Sequence, residues 1–558
     1  MCEQKNNIAE YLTDISKKYH NKRAILRACG KDKKGRVAYS SVTFSQLENL
    51  TNIFANSFKE SGITKGVKTL IMLRPSIEFV ATVFAVFKTG AIPVLIDPGM
   101  GRKNMLKCIK STAPEALIAE SEVFWIKKVF KKNFKSVKYQ FSHGRFTPPG
   151  ITRLEDLEAE FIENPERNYT FDNEETKLDD TAAILFTTGS TGPPKGVVVT
   201  HRIFIKQTEI IKEVYGAGPE HFDMPAFPLF ALFAAALGMP CVLPEMDPTK
   251  PAEANPKIIV KTIIDNGVTF SFGSPAFWRT VAKYCVENKI KLPSLRRVLM
   301  AGAPVSDELH RLVKSIMADD GETMVPYGCT EALPISNFNG TEMLAETAEL
   351  TKQGKGFCVG YPIDGMNIRI IESVDESIDE WEDAKVLPSG QIGEITIKGD
   401  VVTPLYYSNP KATLLAKIND TDGNIIHRMG DMGYFDEKGR LWFCGRKSHR
   451  VITTDKTYYT VCVEALFNNH PDVFRTAIVP HKTGDNINAV LIVELYDCNL
   501  SKKRKDEIKE EFLELASSNE LAKGIKTVLF HTKFPVDIRH NAKIFREKLT
   551  VWAREQLG

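Results

Sequence analysis

The residues best equipped for chemistry lie between Ile184 and His201, in the run ILFTTGSTGPPKGVVVTH. An apolar strand leads into Thr187, Thr188, Gly189, Ser190, Thr191 and Gly192, and Pro193, Pro194, Lys195 and Gly196 follow. Four hydroxyls and two glycines in six residues suit a polyphosphate. Glycines let the backbone approach, amides and hydroxyls donate to phosphate oxygens, and Lys195 supplies positive charge. The loop is not a Walker A motif, because a proline precedes Lys195 and a glycine follows it. No G-x-G-x-x-G follows a strand, so a dinucleotide fold lacks support.

The loop matches the signature Y/F-T-S/T-G-S/T-T-G-x-P-K-G, and the chain here resembles the adenylate-forming superfamily of acyl-CoA synthetases, peptide-synthetase adenylation domains and luciferases. Further blocks follow in that family's order over essentially the whole chain. Arg297–Pro304, RVLMAGAP, resembles the segment whose backbone lies along adenine, which implies contacts from Gly302, Ala303 and Pro304. Tyr327-Gly328-Cys329-Thr330-Glu331 matches Y-G-x-T-E. There the resemblance implies adenine stacked on Tyr327, a phosphate contact from Thr330, and Mg²⁺ held by Glu331 together with Thr188. His427-Arg428-Met429-Gly430-Asp431 matches Y/F-x-T-G-D with two substitutions, and Asp431 keeps the carboxylate expected on the ribose hydroxyls. Gly445-Arg446 matches the G-R that ends the large domain, with Arg446 also expected near the ribose. Lys543, in NAKIFR, stands where the family has G-K-I/V-x-R and is implied to bridge the substrate carboxylate and α-phosphate. The implied reaction is attack of a carboxylate on the α-phosphate of ATP with loss of pyrophosphate.

The chain departs from the thioester-forming members at three places. Ser448 stands where the hinge usually has Asp or Lys, Asp455 replaces the glycine of I-K-x-x-G, and Ala231 replaces a His common in CoA ligases. A negative charge beside a pantetheine tunnel argues against CoA as acceptor. The stretches PEMDPTKPAEANP, FGSPAFWR, PYGCTEALPIS, GRKSHRV and FPVDIRHNAKIFREKL are similar to the β-lactone synthetases of bacterial long-chain olefin biosynthesis. That resemblance implies a long-chain 2-alkyl-3-hydroxy acid as substrate, ring closure by its own hydroxyl, and olefin-pathway enzymes as partners. The alternative within the class is an AMP-forming fatty-acyl-CoA or acyl-carrier ligase; outside it stands a non-catalytic nucleotide-binding scaffold. His201 and His449 are the candidate bases for ring closure.

These residues need a scaffold. Leu70–Leu73, the helical SIEFVATVFAVFKTG and Ile92–Ile96 read as strand, helix and strand, and the alternation recurs near Val268–Phe272 and Arg297–Met300. Such units imply an α/β fold with a largely parallel sheet covered on both faces. The resemblance implies two doubly wound αβαβα subdomains. Short alternating strands at Asn367–Ile371, Ile392–Lys398 and Arg440–Cys444 predict a β-rich subdomain over about 360–447. From about Lys447 onward the chain reads as a compact α+β segment, and the resemblance implies a large N-terminal domain over 1–447 and a small mobile lid over 448–558. The acidic stretch ESVDESIDEWEDAK reads as a solvated loop.

With 558 residues the chain can bury several cores, and its 43% apolar and 26% charged residues are those of a globular protein. A net charge of +3 supports no nucleic-acid partner. The ten cysteines show no CxxC or metal-type spacing with His and read as reduced, buried thiols. The N-terminus lacks an apolar signal region, so a cytoplasmic location is expected. The uncharged run Phe227–Leu243 reaches membrane length but carries two prolines, and it reads as the wall of an apolar pocket. Trp125–Lys138, with six lysines beside aromatics, reads as a surface helix, with peripheral contact to anionic lipid as the other reading.

Overall fold

In the computed structural model the described residues are 5–31, 33, 37–164, 167–187, 194–536 and 544–558. Ile77–Lys88 is apolar around its whole circumference, and such a helix must be buried. All but one of its residues are, and Ser76 caps it by accepting from the Phe79 amide. At its far end Lys88 is 1% exposed; its ammonium donates to Glu48 at 2.7 Å, a pairing without which so buried a charge would not be tolerated.

This helix covers the first sheet. Seven strands run in the order Thr152–Arg153, Tyr139–His143, Ala116–Glu120, Lys68–Met72, Ile92–Ile96, Thr181–Thr187, Lys195–Thr200. Neighbours are parallel except the last two, a hairpin in which Thr187 stands opposite Lys195. A second sheet begins with three parallel strands, Phe270–Gly273, Arg297–Met300 and Glu322–Cys329. It then turns antiparallel through Ala332–Asn339 and Phe357–Pro362, and runs on through Leu441–Arg446, Ile425–Phe435, Gly393–Lys398 and Asn367–Ile371. The β-rich segment is thus continuous with the second parallel sheet. Beyond Arg446 a three-stranded sheet of Val473–Thr483, Asn486–Leu495 and Thr527–Phe530 carries its own apolar cluster.

Of three readings of local structure, the first stands and the other two need correction. The Phe227–Leu243 run forms the helix Phe230–Ala236 and the strand Cys241–Leu243, and among the described residues no helix is long and apolar enough to cross a membrane. Trp125–Lys138 is no single surface helix: Val123–Val129 ends at Phe130, and a 3₁₀ turn follows over Lys131–Phe134. Trp125 remains 58% exposed and stacks on Phe146. The acidic stretch is not wholly solvated. Ile378 is buried, and the Val374 carbonyl accepts from Arg428. Of the cysteines, Cys29 and Cys498 are exposed and Cys329 half-buried; the other described thiols are buried as expected.

Candidate active site

A cleft of about 1900 Å³ opens along the carboxyl ends of the second sheet's parallel strands and is closed on one side by the segment after Arg446. This is where an open α/β sheet leaves space for a ligand. Lys195, Gly302, Ala303, Pro304, Tyr327, Gly328, Thr330, Glu331, Asp431 and Arg446 all line it. Thr187 ends the strand before the phosphate loop. Thr188, Gly189, Ser190, Thr191, Gly192 and Lys543 lie outside the described residues. Lys195 begins the strand after the loop, and Ile544, the neighbour of Lys543 in the chain, lines the cleft.

The elements explain the convergence. Strand Arg297–Met300 delivers Ala301–Pro304 at its carboxyl end. The next strand ends at Cys329, and Thr330 and Glu331 form the tight turn into Ala332. Gly328 is required there, since a Cβ would stand 2.5 Å from the Ala332 carbonyl oxygen. Asp431 and Arg446 are cross-strand partners on Ile425–Phe435 and Leu441–Arg446. The Tyr327 hydroxyl donates to Asp431 Oδ2 at 2.7 Å, and Arg446 stands 3.0 Å from Oδ1. Burial pushes the Asp431 carboxyl up, opposed by Arg446 and by the Tyr327 hydrogen bond. No donor is aligned on Oδ1, although the atom is buried. Arg446 pairs with Oδ1 by charge without an aligned hydrogen bond, so the atom keeps accepting capacity on the cleft wall, and a ribose hydroxyl has the right chemistry to use it. The adenine nucleotide implied by the sequence therefore fits these residues.

A second cluster surrounds Glu331. Its Oε1 accepts from the Tyr406 hydroxyl at 2.6 Å, and Lys195 Nζ lies over the Tyr406 ring, 4.7 Å from its centre. Burial alone would raise the Glu331 carboxyl. His427, the Tyr406 hydrogen bond and Lys417 outweigh it and hold it at about 2. Lys417 is buried and brought down to about 8 by desolvation; it donates to Thr403 Oγ1 at 3.2 Å. Desolvation, with the Lys417 charge, takes His427 down to about 3 against the pull of Glu331, so the imidazolium that helps hold Glu331 down exists only in acid and the ring is neutral at pH 7. Glu331 is thus an ionised oxygen ligand facing the cleft, which fits a hard cation such as Mg²⁺. Sequence reasoning missed Tyr406 and Lys417. Neither belongs to a motif, and no local pattern marks them. It did note His427 and Met429 as substitutions, and that departure was the available signal.

The apolar end of the cleft is walled by Phe227, Phe230 and Phe272, with the last two stacked at 3.8 Å. The pocket-wall reading of the Phe227 run holds for Phe227 and Phe230. Ala231 is not part of that wall; it is fully buried in the core. Asp455 is exposed in the turn between Val451–Ile452 and Thr457–Tyr458, away from the cleft lining. Ser448 and His449 do line it. His201 does not. Its Nδ1 accepts from the Ile8 amide at 3.3 Å, and burial takes it down to about 4, so it is withdrawn as a candidate base.

A cleft at the carboxyl ends of a parallel sheet, lined by the residues that the sequence motifs single out, is the setting of an adenylate-forming class of protein. The chain belongs to the AMP-binding enzyme family, whose model matches residues 12–407. It is accordingly an AMP-forming, acid-activating enzyme. An olefin beta-lactone synthetase from Xanthomonas campestris pv. campestris is 38% identical over 99% of this chain and 98% of its own length. Another from Stenotrophomonas maltophilia is 40% identical over 99% and 98%. An amide bond synthetase structure from Marinactinospora thermotolerans superposes with a TM-score of 0.77 at 22% identity, covering 98% of this chain and 99% of that one. An anthranilate CoA ligase in complex with anthranoyl-AMP gives 0.76 at 19%, covering 99% and 98%. At those identities the likeness is one of fold.

Proposed function

We propose that the chain joins ATP to a long-chain 2-alkyl-3-hydroxy acid as an acyl-adenylate, releasing pyrophosphate, and that the acid's own 3-hydroxyl then closes a β-lactone and releases AMP. The observation that carries this reading is the full-length likeness to two olefin beta-lactone synthetases. In this reading Tyr327 and the Gly302–Pro304 turn hold adenine, and Asp431 with Arg446 holds the ribose. Thr187–Gly192, Thr330 and Lys195 meet the phosphates. Mg²⁺, held by Glu331 with Thr188, would offset phosphate charge. Lys543 steadies the attacking carboxylate against the α-phosphate, an electrostatic contribution of the kind worth about 10²–10³ in rate per group. The Phe227–Phe230–Phe272 wall takes the alkyl chains. His449 at the cleft is the remaining candidate for taking the hydroxyl proton.

Ring closure needs no second substrate. A hydroxyl held about 3–3.5 Å from the activated carbonyl gains roughly 7–11 kcal/mol from orientation alone. The position of Asp455, exposed and off the cleft lining, removes one argument against the rival acyl-CoA ligase reading, which the full-length likeness still disfavours. Incubation with ATP, Mg²⁺ and a racemic 2-alkyl-3-hydroxy acid, followed by NMR of the organic product, decides between them. A β-lactone formed without CoA is expected; formation of only the CoA thioester, and only when CoA is added, would overturn the proposal.

A further inference from the structure

Cys329, Glu331 and His427 each present a ligand atom to the others, all within 4.8 Å, the one such thiol–imidazole–carboxylate group among the described residues. Cys329 Sγ stands 3.7 Å from His427 Nε2 and 3.7 Å from Met429 Sδ. Zinc bound tetrahedrally at its usual Zn–S and Zn–N lengths separates sulfur from nitrogen by about 3.6 Å. The two groups are within thiol–imidazole hydrogen-bond reach, at a separation that two ligands sharing one ion would also keep.

The surroundings orient both partners. His427 Nδ1 meets the Ala416 carbonyl at 3.0 Å. Donating its proton there leaves the lone pair on Nε2, on the Cys329 side, and fixes the ring as a metal-ligating histidine is normally fixed. Tyr406 does the same for Glu331. Cys329, Glu331, His427 and Met429 all line the cleft, which supplies a path of entry.

We propose that this corner of the cleft binds zinc, or a similar borderline metal ion, through the Cys329 thiolate, His427 Nε2 and the Glu331 carboxylate, and that its occupation switches adenylation off. Magnesium prefers an all-oxygen shell and has no use for sulfur and imidazole, whereas zinc favours that mixture. Binding displaces the thiol proton to solvent, one per ion. The opposing influences are burial, which disfavours the Cys329 thiolate, and the Lys417 ammonium, which faces both Glu331 and Cys329; Arg446 faces both as well but is paired with Asp431. The inhibitory half rests on the role proposed above for Glu331, since one carboxylate cannot serve zinc and the ATP-bound magnesium together.

The test separates the two halves. The full chain, free of nucleotide, is titrated with Co²⁺ as a spectroscopic stand-in. One equivalent with a thiolate-to-cobalt charge-transfer band, displaced by zinc, is expected. Cys329→Ser should abolish the band, and His427→Gln should weaken binding by about tenfold or more. No band in the wild type, or an undiminished band in Cys329→Ser, overturns the site. Pyrophosphate release is then measured at saturating Mg²⁺. Micromolar zinc should stop the wild type and spare Cys329→Ser. A metal-loaded wild type that still turns over overturns the inhibitory role. Absence of pyrophosphate release without any zinc would instead sink the adenylation reading and leave the cobalt result standing.

Discussion

At the scale of single residues, charges behave according to what faces them. Lys543 is assigned by its place in an ordered set of motifs. Lys543→Ala should lower pyrophosphate release by about 10²-fold while leaving ATP affinity little changed, because in the proposed reading the nucleotide contacts belong to other residues. Near wild-type release would remove Lys543 from this role. Lys417 gives a pH test. Its pKa is about 8 in the folded chain against an ordinary 10.5. Below 8 both folded and unfolded chains carry the proton, and the cost of burying an ammonium is present in full. Between 8 and 10.5 the folded chain has released the proton and the unfolded chain has not, so stability rises with pH across that window. Relative to Lys417→Met, the wild type should gain up to about 1.4 kcal/mol per pH unit there, read from urea unfolding at pH 7.5 and 9.5. A wild-type-to-variant difference that does not move with pH would show that Lys417 is not the titrating group. The contrast between the two lysines measures what a sequence makes legible. Lys543 sits in a recognisable string. Lys417, in AKIND, becomes unusual only when the fold sets it against Glu331, 86 positions earlier in the chain. The same holds for Cys329 and His427, which no spacing rule pairs.

At the scale of elements, the strand leading into the phosphate loop and the Arg297–Met300 strand could be placed from apolar runs and turn residues, whereas the Tyr327 segment is marked only by its motif. The sheet those last two share could not be placed so, because it is built by pairing between distant segments. The hinge is the clearest case. The acidic stretch read as a solvated loop instead anchors the chain after Arg446. Lys447 Nζ lies 3.1 Å from Glu394 and 3.6 Å from Asp375, and Arg450 lies 3.6 Å from Asp375 and donates to Ser373 Oγ at 3.0 Å. Glu394 is itself tied to the buried Arg428 at 2.7 Å. A lid beginning at 448, the boundary expected from the sequence, would have to loosen these contacts to rotate, and hinges take up such motion over a few residues. Trypsin should cut between Arg446 and Val451, leaving a large fragment and a C-terminal one, and Asp375→Ala should speed the cut. Equal resistance of both proteins, with and without nucleotide, would count against a hinge at this point.

At the scale of the whole molecule, the two sheets, the β-rich extension and the C-terminal segment enclose one cleft that must serve two consecutive reactions. Adenylation needs an acid, ATP and the residues that meet the phosphates. Closure needs only that the activated carbonyl and a hydroxyl stay together while AMP departs. In the proposed reading the substrate supplies that hydroxyl itself, and the protein's task would be to hold two alkyl branches against the Phe227–Phe230–Phe272 wall and exclude water. An acid identical except for the missing 3-hydroxyl should therefore bind and adenylate but go no further. Its kinetics should show a burst of about one pyrophosphate per chain, followed by slow release set by hydrolysis of a trapped adenylate. The hydroxy acid should turn over continuously, with AMP and pyrophosphate in equal amounts and no effect of CoA. The measurement is pyrophosphate and AMP release for both acids, each with and without CoA. Sustained, CoA-dependent turnover of the dehydroxy acid would mean that the cleft admits an external acceptor, and the chain would then be a ligase of acyl-CoA type. A burst confined to the dehydroxy acid would place the nucleophile of the second step on the substrate.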